Sequence, residues 1–318
     1  MYLAVRSDYS FLRSYGTIDQ IVDRAVELGH KYVGLSDYLS TWGHIPFMKA
    51  CKKAGIKPIL GVVVPVVKDL EKDPRYDLVT IIAKNNEGLK NIYELLGVAS
   101  GQKYYRHRVT WSQLYAMKEV FLIADHVHTG NLFMVRKTLM AGVAPKPGSM
   151  MAMVKSGDYE TIFSPAPIYP KPQDQPAYDI IKNVSAMAKS QELELGYGPM
   201  LSRKDAEAQF EPFDFDPTEA FAKADAIADQ CSVELKIAQN VVPTSKMTVE
   251  EWARAGAEGG GIDLDKEEYA KRFETGMEVL RSKSFEDYFL LVGDLVRYAK
   301  DHMLVGPARG SAGGSLIC

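Results

Sequence analysis

Residues 1–38 read MYLAVRSDYSFLRSYGTIDQIVDRAVELGHKYVGLSDY, and this stretch decides the fold. Two short apolar runs, YLAV and YVGLSD, are typical of buried strands. The segment between them begins at a candidate N-cap, Thr17, and ends at Gly29. It carries apolar residues at helical spacing, namely Ile18, Ile21, Val22, Ala25 and Leu28. A strand–helix–strand unit of this kind predicts an α/β fold.

The alternation continues along the chain. We expect a helix over 45–55 that stops at Gly55, an almost wholly apolar strand over 56–67, a strand over 78–84 and a helix over 86–100. Strands alternating with helices predict a parallel sheet covered on both faces, or a β/α barrel. Further strands and short helices are expected at WSQLYAM and VFLIADHV.

The second half of the chain is predicted to be mainly helical. A helix over 216–231 has Asp216 as its candidate cap and Pro217 in its first turn. A helix from Thr248 has Glu251 in the position that completes a capping box. Two longer helices follow over 267–283 and 285–303. The last one has an apolar stripe formed by Phe289, Val292, Leu295, Val296 and Ala299.

Composition excludes several classes of protein. The chain has 318 residues, 46% hydrophobic and 25% charged residues and a formal charge of −3, as in soluble globular proteins of about two domains. Its three cysteines show no CxxC spacing, which argues against a disulfide framework or a structural zinc site. No signal peptide or membrane-spanning run is evident, so we expect a cytoplasmic protein that does not contact membranes.

A glycine-rich segment, VGPARGSAGGSLIC, occupies residues 305–318. Glycines allow close approach of a ligand and expose backbone N–H groups, which bind phosphate oxygens. Arg309 offers a charged fork, Ser311 and Ser315 offer hydroxyls, and 315–318 is expected to start a helix. The segment lacks the Gly-Lys-Ser/Thr of a P-loop and does not follow a first strand as a dinucleotide fingerprint does. We interpret it as a phosphate cradle, with a flexible linker as the alternative.

These stretches together resemble a known family. The segments over 5–38, 43–64, 81–96 and 104–114 resemble, in the same order, the N-terminal PHP (polymerase and histidinol phosphatase) domain of bacterial C-family replicative DNA polymerases, of the DNA polymerase III alpha type. SFEDYFLLVGDLVRYAKDHMLVGPARGSAGGSLIC resembles the entry to the palm domain of the same family. The resemblance implies a degenerate, shortened PHP-type distorted β/α barrel over 1–240, followed by a mainly helical first part of the palm over 241–318.

Active PHP domains hold divalent metals, and the resemblance locates the corresponding positions here. The family's first His-x-His falls on Ala4 and Arg6, its Asp-His falls on Asp37 and Tyr38, and a glutamate falls on Val63. Arginine has no lone pair to offer a metal. We therefore expect this PHP domain to bind no metal, to lack phosphoesterase activity and to act as a structural block that docks partners.

Two other pairs have the spacing of metal ligands. His126 and His128 form an H-x-H after a predicted strand, but partner carboxylates and histidines are missing, which favours loop histidines. Asp214 and Asp216 form an Asp-x-Asp, but Asp216 is better explained as an N-cap. Ala308 replaces a glycine that the family usually has, and this leaves the detailed geometry of the loop open.

The resemblance implies a DNA polymerase that extends a primer on a DNA template with Mg²⁺. This chain would supply nucleotide-phosphate contacts from Arg309, Gly310, Ser311, Gly313, Gly314 and Ser315. The family's catalytic aspartates lie downstream of the loop, so we assign no catalytic residue and no metal to this chain and expect it to be inactive alone. Expected partners are the remaining polymerase chain with palm, fingers and thumb, primer–template DNA, deoxynucleoside triphosphates, and a sliding clamp or proofreading exonuclease.

Alternatives stay open at this point. A non-catalytic scaffold for replication proteins is one, and a stand-alone PHP phosphoesterase is another that the missing ligands disfavour. The family continues beyond Cys318, so the end of the sequence could reflect a truncation, a split gene or an intein boundary. Cys318 could equally be a small helix residue.

Overall fold

A computed structural model describes residues 1–73, 75–102, 107–128, 131, 138–145, 159–187, 196–213, 215–235, 242–306 and 310–318. Within these ranges the side chains of 186–187 and 311–312 are left undescribed. The chain forms two compact units, Met1–Lys236 and Ile237–Cys318. Arg309, Ala308 and Asp214, which the sequence singled out, lie outside the described residues.

The first unit is built on one mixed sheet. Its described strands are β1 (Tyr2–Val5), β2 (Tyr32–Tyr38), β3 (Lys57–Val67), β4 (Asp77–Ala83), β5 (Val109–Thr110), β6 (Val120–His126), β7 (Leu139–Val143) and β8 (Thr161–Phe163). The strand order is β1-β2-β3-β4-β6-β7-β8, and β5 pairs with the end of β3. The sheet curls into a half-barrel with helices against it, so the α/β prediction is confirmed.

Strand β4 departs from the parallel sheet that was one of the two predicted arrangements. This strand runs antiparallel to both β3 and β6, while β1, β2 and β3 are parallel, as are β6, β7 and β8. The chain from Val67 to Asp77 is shorter than the dozen or so residues that a parallel crossover needs. The two strands can therefore only be antiparallel neighbours.

Helices cover the sheet where the sequence predicted them. The described helices of this unit are α1 (Ile18–Glu27), α2 (His44–Ala54), α3 (Asn86–Gly101), α4 (Trp111–Tyr115), α5 (Gln175–Met187), α6 (Arg203–Ala208) and α7 (Thr218–Gln230). The hydroxyl of Thr17 accepts from the N–H of Gln20 and caps α1, as predicted. Gly55 ends α2 with φ 70°, a left-handed conformation that suits glycine.

The start of α7 differs by one residue from the prediction. Pro217, and not Asp216, occupies the N-cap position. Asp216 still accepts a hydrogen bond through Oδ1 from the N–H of Thr218, at 2.9 Å. The side chain of Asp216 therefore accepts a hydrogen bond from the first turn of α7, although Asp216 lies one residue before the N-cap.

The second unit is helical. It contains α8 (Val249–Gly259), α9 (Glu267–Ser282) and α10 (Glu286–His302), followed by a 3₁₀ turn over Gly310–Gly314. The predicted capping box between Thr248 and Glu251 is formed at the start of α8. An apolar cluster joins these helices through Val249, Phe273, Met277, Leu280 and Leu290.

The apolar stripe predicted on α10 does not form the core of this unit. Leu290 is the buried residue of the helix, whereas Leu295 is 61% exposed and Val292 and Val296 are also exposed. Periodicity predicts a helix with an apolar face, but it does not say which part of that face other residues cover. Across the described ranges, no helix has the length and apolar character needed to cross a bilayer.

Candidate functional site

The carboxyl ends of β1 and β2 place Arg6 and Asp37 in one buried region. The two strands are parallel neighbours, so the residues at their ends lie at the same edge of the sheet. Arg6 is 0% exposed and Asp37 is 1% exposed. Two of the positions that the resemblance assigned to a vestigial metal site are therefore brought together.

Arg6 is enclosed by hydrogen-bond acceptors. Its Nη1 donates to the carbonyl of Ser36, its Nη2 donates to Thr80 Oγ1 at 3.3 Å, and Nη2 lies 3.5 Å from Asp125 Oδ2. Burial lowers the pKa of Arg6, while the carboxylates of Asp125 and Asp37 oppose this shift. Because a guanidinium keeps its proton in proteins, Arg6 places a fixed positive charge in this region.

Asp37 is held by the loop that follows β1. Its Oδ1 accepts from the backbone N–H of Ser7 at 2.7 Å and from Ser10 Oγ at 2.6 Å, and its Oδ2 accepts from Ser7 Oγ at 2.7 Å. Burial raises the pKa of Asp37, and the hydrogen bonds from Ser10 and Ser7 act against that rise. The carboxylate therefore fixes the loop between β1 and α1.

The other vestigial positions offer no ligand for a divalent metal. Ala4 is buried in β1, and Val63 is buried in β3 opposite Tyr38 of β2. The guanidinium of Arg13 lies 4.1 Å from the centre of the Tyr38 ring. Hard metals need several carboxylate or imidazole ligands, and the guanidinium of Arg6 beside Asp37 and Asp125 opposes a cation. Within the described ranges, no group of three or more His, Cys, Asp and Glu side chains could hold a metal ion.

Two partners of Arg6 were not found by sequence reasoning. Thr80 lies in β4 and Asp125 lies in β6, and the Thr80 hydroxyl donates to Asp125 Oδ2. Both are polar residues within otherwise apolar strands, and this pattern is the signal in the sequence that could have identified them. Since β4 and β6 are paired antiparallel, only the tertiary structure brings the two side chains next to Arg6.

The H-x-H pair lies at the end of β6. The rings of His126 and His128 meet edge to face at 4.8 Å between centroids. The backbone N–H of His128 donates to Asp77 Oδ1 at 2.8 Å, and Asp77 Oδ2 accepts from Trp111 Nε1 at 3.2 Å and from Asn131 Nδ2 at 2.8 Å. Burial raises the pKa of Asp77. This carboxylate therefore organises a turn and its neighbouring indole. His128 lies in this turn, as the loop interpretation predicted, whereas His126 is the last residue of β6.

The glycine-rich loop is described from Gly310 onward. Gly310 has φ +70°, a left-handed conformation that favours glycine. Gly310, Gly313 and Gly314 are exposed and Ser315 is half-buried. Backbone groups of four of the predicted phosphate-binding residues are therefore accessible to solvent or lie at its edge.

The helix expected at 315–318 is not formed. The 3₁₀ turn ends at Gly314, and the residues after it have no helical hydrogen bonds. Instead, Arg272 Nη2 of α9 donates to the carbonyl of Gly314 at 3.1 Å, a contact that sequence reasoning missed.

Comparison with known proteins agrees with this arrangement of two units. Residues 3–150 match the PHP domain family, and residues 246–318 match the family described as the bacterial DNA polymerase III alpha NTPase domain. The chain combines a PHP domain with sequence of the DNA polymerase III alpha NTPase domain. The recognition made from the sequence is confirmed.

Relatives of the chain are DNA polymerase III alpha subunits. The chain is 26% identical to that of Bacillus subtilis, with 100% of this chain and 31% of the relative covered, and 26% identical to that of Aquifex aeolicus, with 100% and 33% covered. It therefore spans about a third of the length of these relatives. A solved amidohydrolase from Chromobacterium violaceum is similar over 31% of this chain and 33% of its own, at 18% identity and a TM-score of 0.26, which is too low to carry an argument.

Proposed function

We propose that this chain serves as the N-terminal part of a DNA polymerase of the III alpha type. The observation that carries the proposal is the order of its two family matches, PHP at 3–150 and the NTPase domain at 246–318, in one chain whose whole length aligns with such polymerases. The reaction proposed for the complete enzyme is addition of deoxynucleotides to a primer on a DNA template.

In this proposal the glycine-rich loop contacts the triphosphate of the incoming nucleotide. The left-handed Gly310 and the exposure of Gly313 and Gly314 support it, because residues without side chains let a ligand approach the loop closely. Arg309 and the hydroxyls of Ser311 and Ser315 are proposed, from the sequence, to bind the phosphate oxygens.

The PHP domain is proposed to be metal-free and structural. The guanidinium of Arg6, bonded to the Ser36 carbonyl and close to Asp125, supports this role, because it already supplies the positive charge that a metal would bring. Mg²⁺ is expected to act in the complete polymerase, held by residues other than those described in this chain. We further propose a cytoplasmic setting with primer–template DNA, the remaining polymerase and a clamp or proofreading exonuclease as partners.

Nucleotide binding tests the loop. Calorimetric titration of the chain with a deoxynucleoside triphosphate should show binding, and Arg309→Ala should weaken it roughly tenfold or more, since charge-assisted hydrogen bonds contribute about 1.5–3 kcal/mol. Lys283→Ala, which removes a positive charge at the end of α9, is the matched control. If the variant binds as tightly as the unaltered chain, the loop is not the phosphate site.

Primer extension tests the assignment of catalysis to other residues. We expect no extension by residues 1–318 alone with Mg²⁺ and all four deoxynucleoside triphosphates. Extension that survives repurification would contradict the assignment. Phosphatase activity with Mn²⁺ would instead support the phosphoesterase alternative and would contradict the structural role of Arg6.

An interaction module is the second candidate function, and one surface of the PHP domain favours it. Trp42 is 82% exposed and lines a groove together with Tyr9, Leu39 and Leu96. Large exposed aromatic side chains are typical of protein interfaces. Trp42→Ala should abolish co-purification with a purified clamp or exonuclease if the groove binds that partner. Unchanged co-purification would exclude the groove.

A further inference from the structure

Arg272 contacts the backbone at the end of the glycine-rich loop. It lies on α9, its side chain is exposed, and its Nη2 donates to the Gly314 carbonyl at 3.1 Å. The two residues belong to the same compact unit. A guanidinium has five N–H donors in a rigid fork, and this hydrogen bond uses one of them.

A second contact on the same helix holds the chain just after the loop. Gly276 follows Arg272 by four residues, so the two lie on one face of α9. A Cβ atom at Gly276 would lie 2.7 Å from Ile317 Cδ1, so the absence of a side chain makes room for this isoleucine. Ile317 also packs against the apolar cluster of the unit. One face of α9 thus holds the segment from Gly314 to Ile317.

Among the residues that the structure describes, no carboxylate forms an ion pair with Arg272. Arg254, Arg281 and Arg297 form ion pairs with acidic side chains of this unit. In the part of the unit that the structure describes, Arg272 forms no ion pair, although Glu268 lies four residues before it on α9. A positive charge beside a loop of exposed glycines is therefore available to an anion.

We propose that Arg272 is a positioning residue for the glycine-rich loop and supplies a second guanidinium to its phosphate ligand. The proposal rests on the proposed role of the loop in binding a triphosphate. The hydrogen bond to Gly314 fixes the end of the loop, and the remaining donors and the charge act on the phosphate oxygens.

Two measurements on the full chain test this role separately. Amide hydrogen exchange over 310–317 reports on the loop without any ligand, and calorimetric titration with dATP reports on phosphate binding. Arg272→Ala should speed exchange in this segment and weaken dATP binding, each roughly fivefold or more. Arg272→Lys should restore part of the dATP affinity, because it returns the charge without the fork. Lys271→Ala removes a charge from the preceding residue and should change neither readout.

The outcomes separate the two proposals. If Arg272→Ala leaves exchange over 310–317 unchanged, or weakens dATP binding only as much as Lys271→Ala does, the inference about Arg272 is overturned. If the unaltered chain does not bind dATP, the phosphate role of the loop and of Arg272 fails, while exchange still decides whether Arg272 positions the loop. Melting curves of the variants check that each one is folded.

Discussion

Replacement of Asp37 by alanine should destabilise the PHP domain strongly. The carboxylate is buried and accepts hydrogen bonds from the Ser7 backbone N–H, the Ser7 hydroxyl and the Ser10 hydroxyl. In Asp37→Ala the Ser7 N–H loses its acceptor, which costs about 1–3 kcal/mol for a buried donor. The two hydroxyls can rotate toward other acceptors, so each lost hydrogen bond costs about 0.5–1.5 kcal/mol.

The sum of these losses is about 2–6 kcal/mol. In a unit of this size, 1 kcal/mol lowers the melting temperature by about 2–4 °C. We therefore expect the melting temperature to fall by roughly 10 °C, measured by circular dichroism and checked by urea denaturation. Asp37→Asn should lower the melting temperature nearly as much as Asp37→Ala does, because the amide NH₂ group of asparagine would face hydrogen-bond donors.

Asp23→Ala is the control, since the carboxylate of Asp23 on α1 is exposed and forms no hydrogen bond with the residues that the structure describes. It should change the free energy of unfolding by less than about 0.5 kcal/mol. The reasoning is refuted if Asp37→Ala unfolds within about 1 kcal/mol of the unaltered chain. That result would mean that the cost of burying the carboxylate cancels its hydrogen bonds.

Three further predictions concern other parts of the chain. Arg6→Met removes the buried partner of Asp125 and should lower the free energy of unfolding by about 3–5 kcal/mol. The double variant, Arg6→Met with Asp125→Asn, should lower it by less. Equal losses for the single and the double variant in urea denaturation would contradict the ion pair. Burial lowers the pKa of His44 from 6.5 to about 4, because the buried imidazole favours its neutral form. The contribution of His44 to the free energy of unfolding is therefore fully present above pH 6.5 and is lost as the pH falls toward 4. This loss should be about 3 kcal/mol, and a pH series of urea denaturation should show a smaller loss for His44→Gln. Thr248→Ala should lower the stability of the second unit by about 1 kcal/mol, while Thr248→Ser, which keeps the hydroxyl, should not.

Periodicity and capping signals made the local structure predictable. Thr17 and Gly55 mark helix ends because their effects act through the nearest backbone groups. The family resemblance located Arg6 and Asp37 for the same kind of reason, since Arg6 follows β1 and Asp37 lies near the end of β2, and an apolar run defines each strand. The antiparallel direction of β4 was missed because alternating elements do not reveal which connections lack a helix.

The partners of each functional side chain were beyond the sequence. Asp125 meets Arg6 across more than a hundred residues of chain, and Arg272 meets Gly314 across more than forty. Such contacts depend on how the strands and helices pack, not on the residues next to each one.

The sequence by itself determined the α/β class, most helix ends, the absence of the expected metal ligands and the family. The tertiary structure alone decided that Thr80 and Asp125 lie against the buried Arg6, and that α9 contacts the segment from Gly314 to Ile317. The physical reason is that secondary structure follows from interactions within a few residues, whereas charge compensation and loop positioning depend on residues that only the fold brings together.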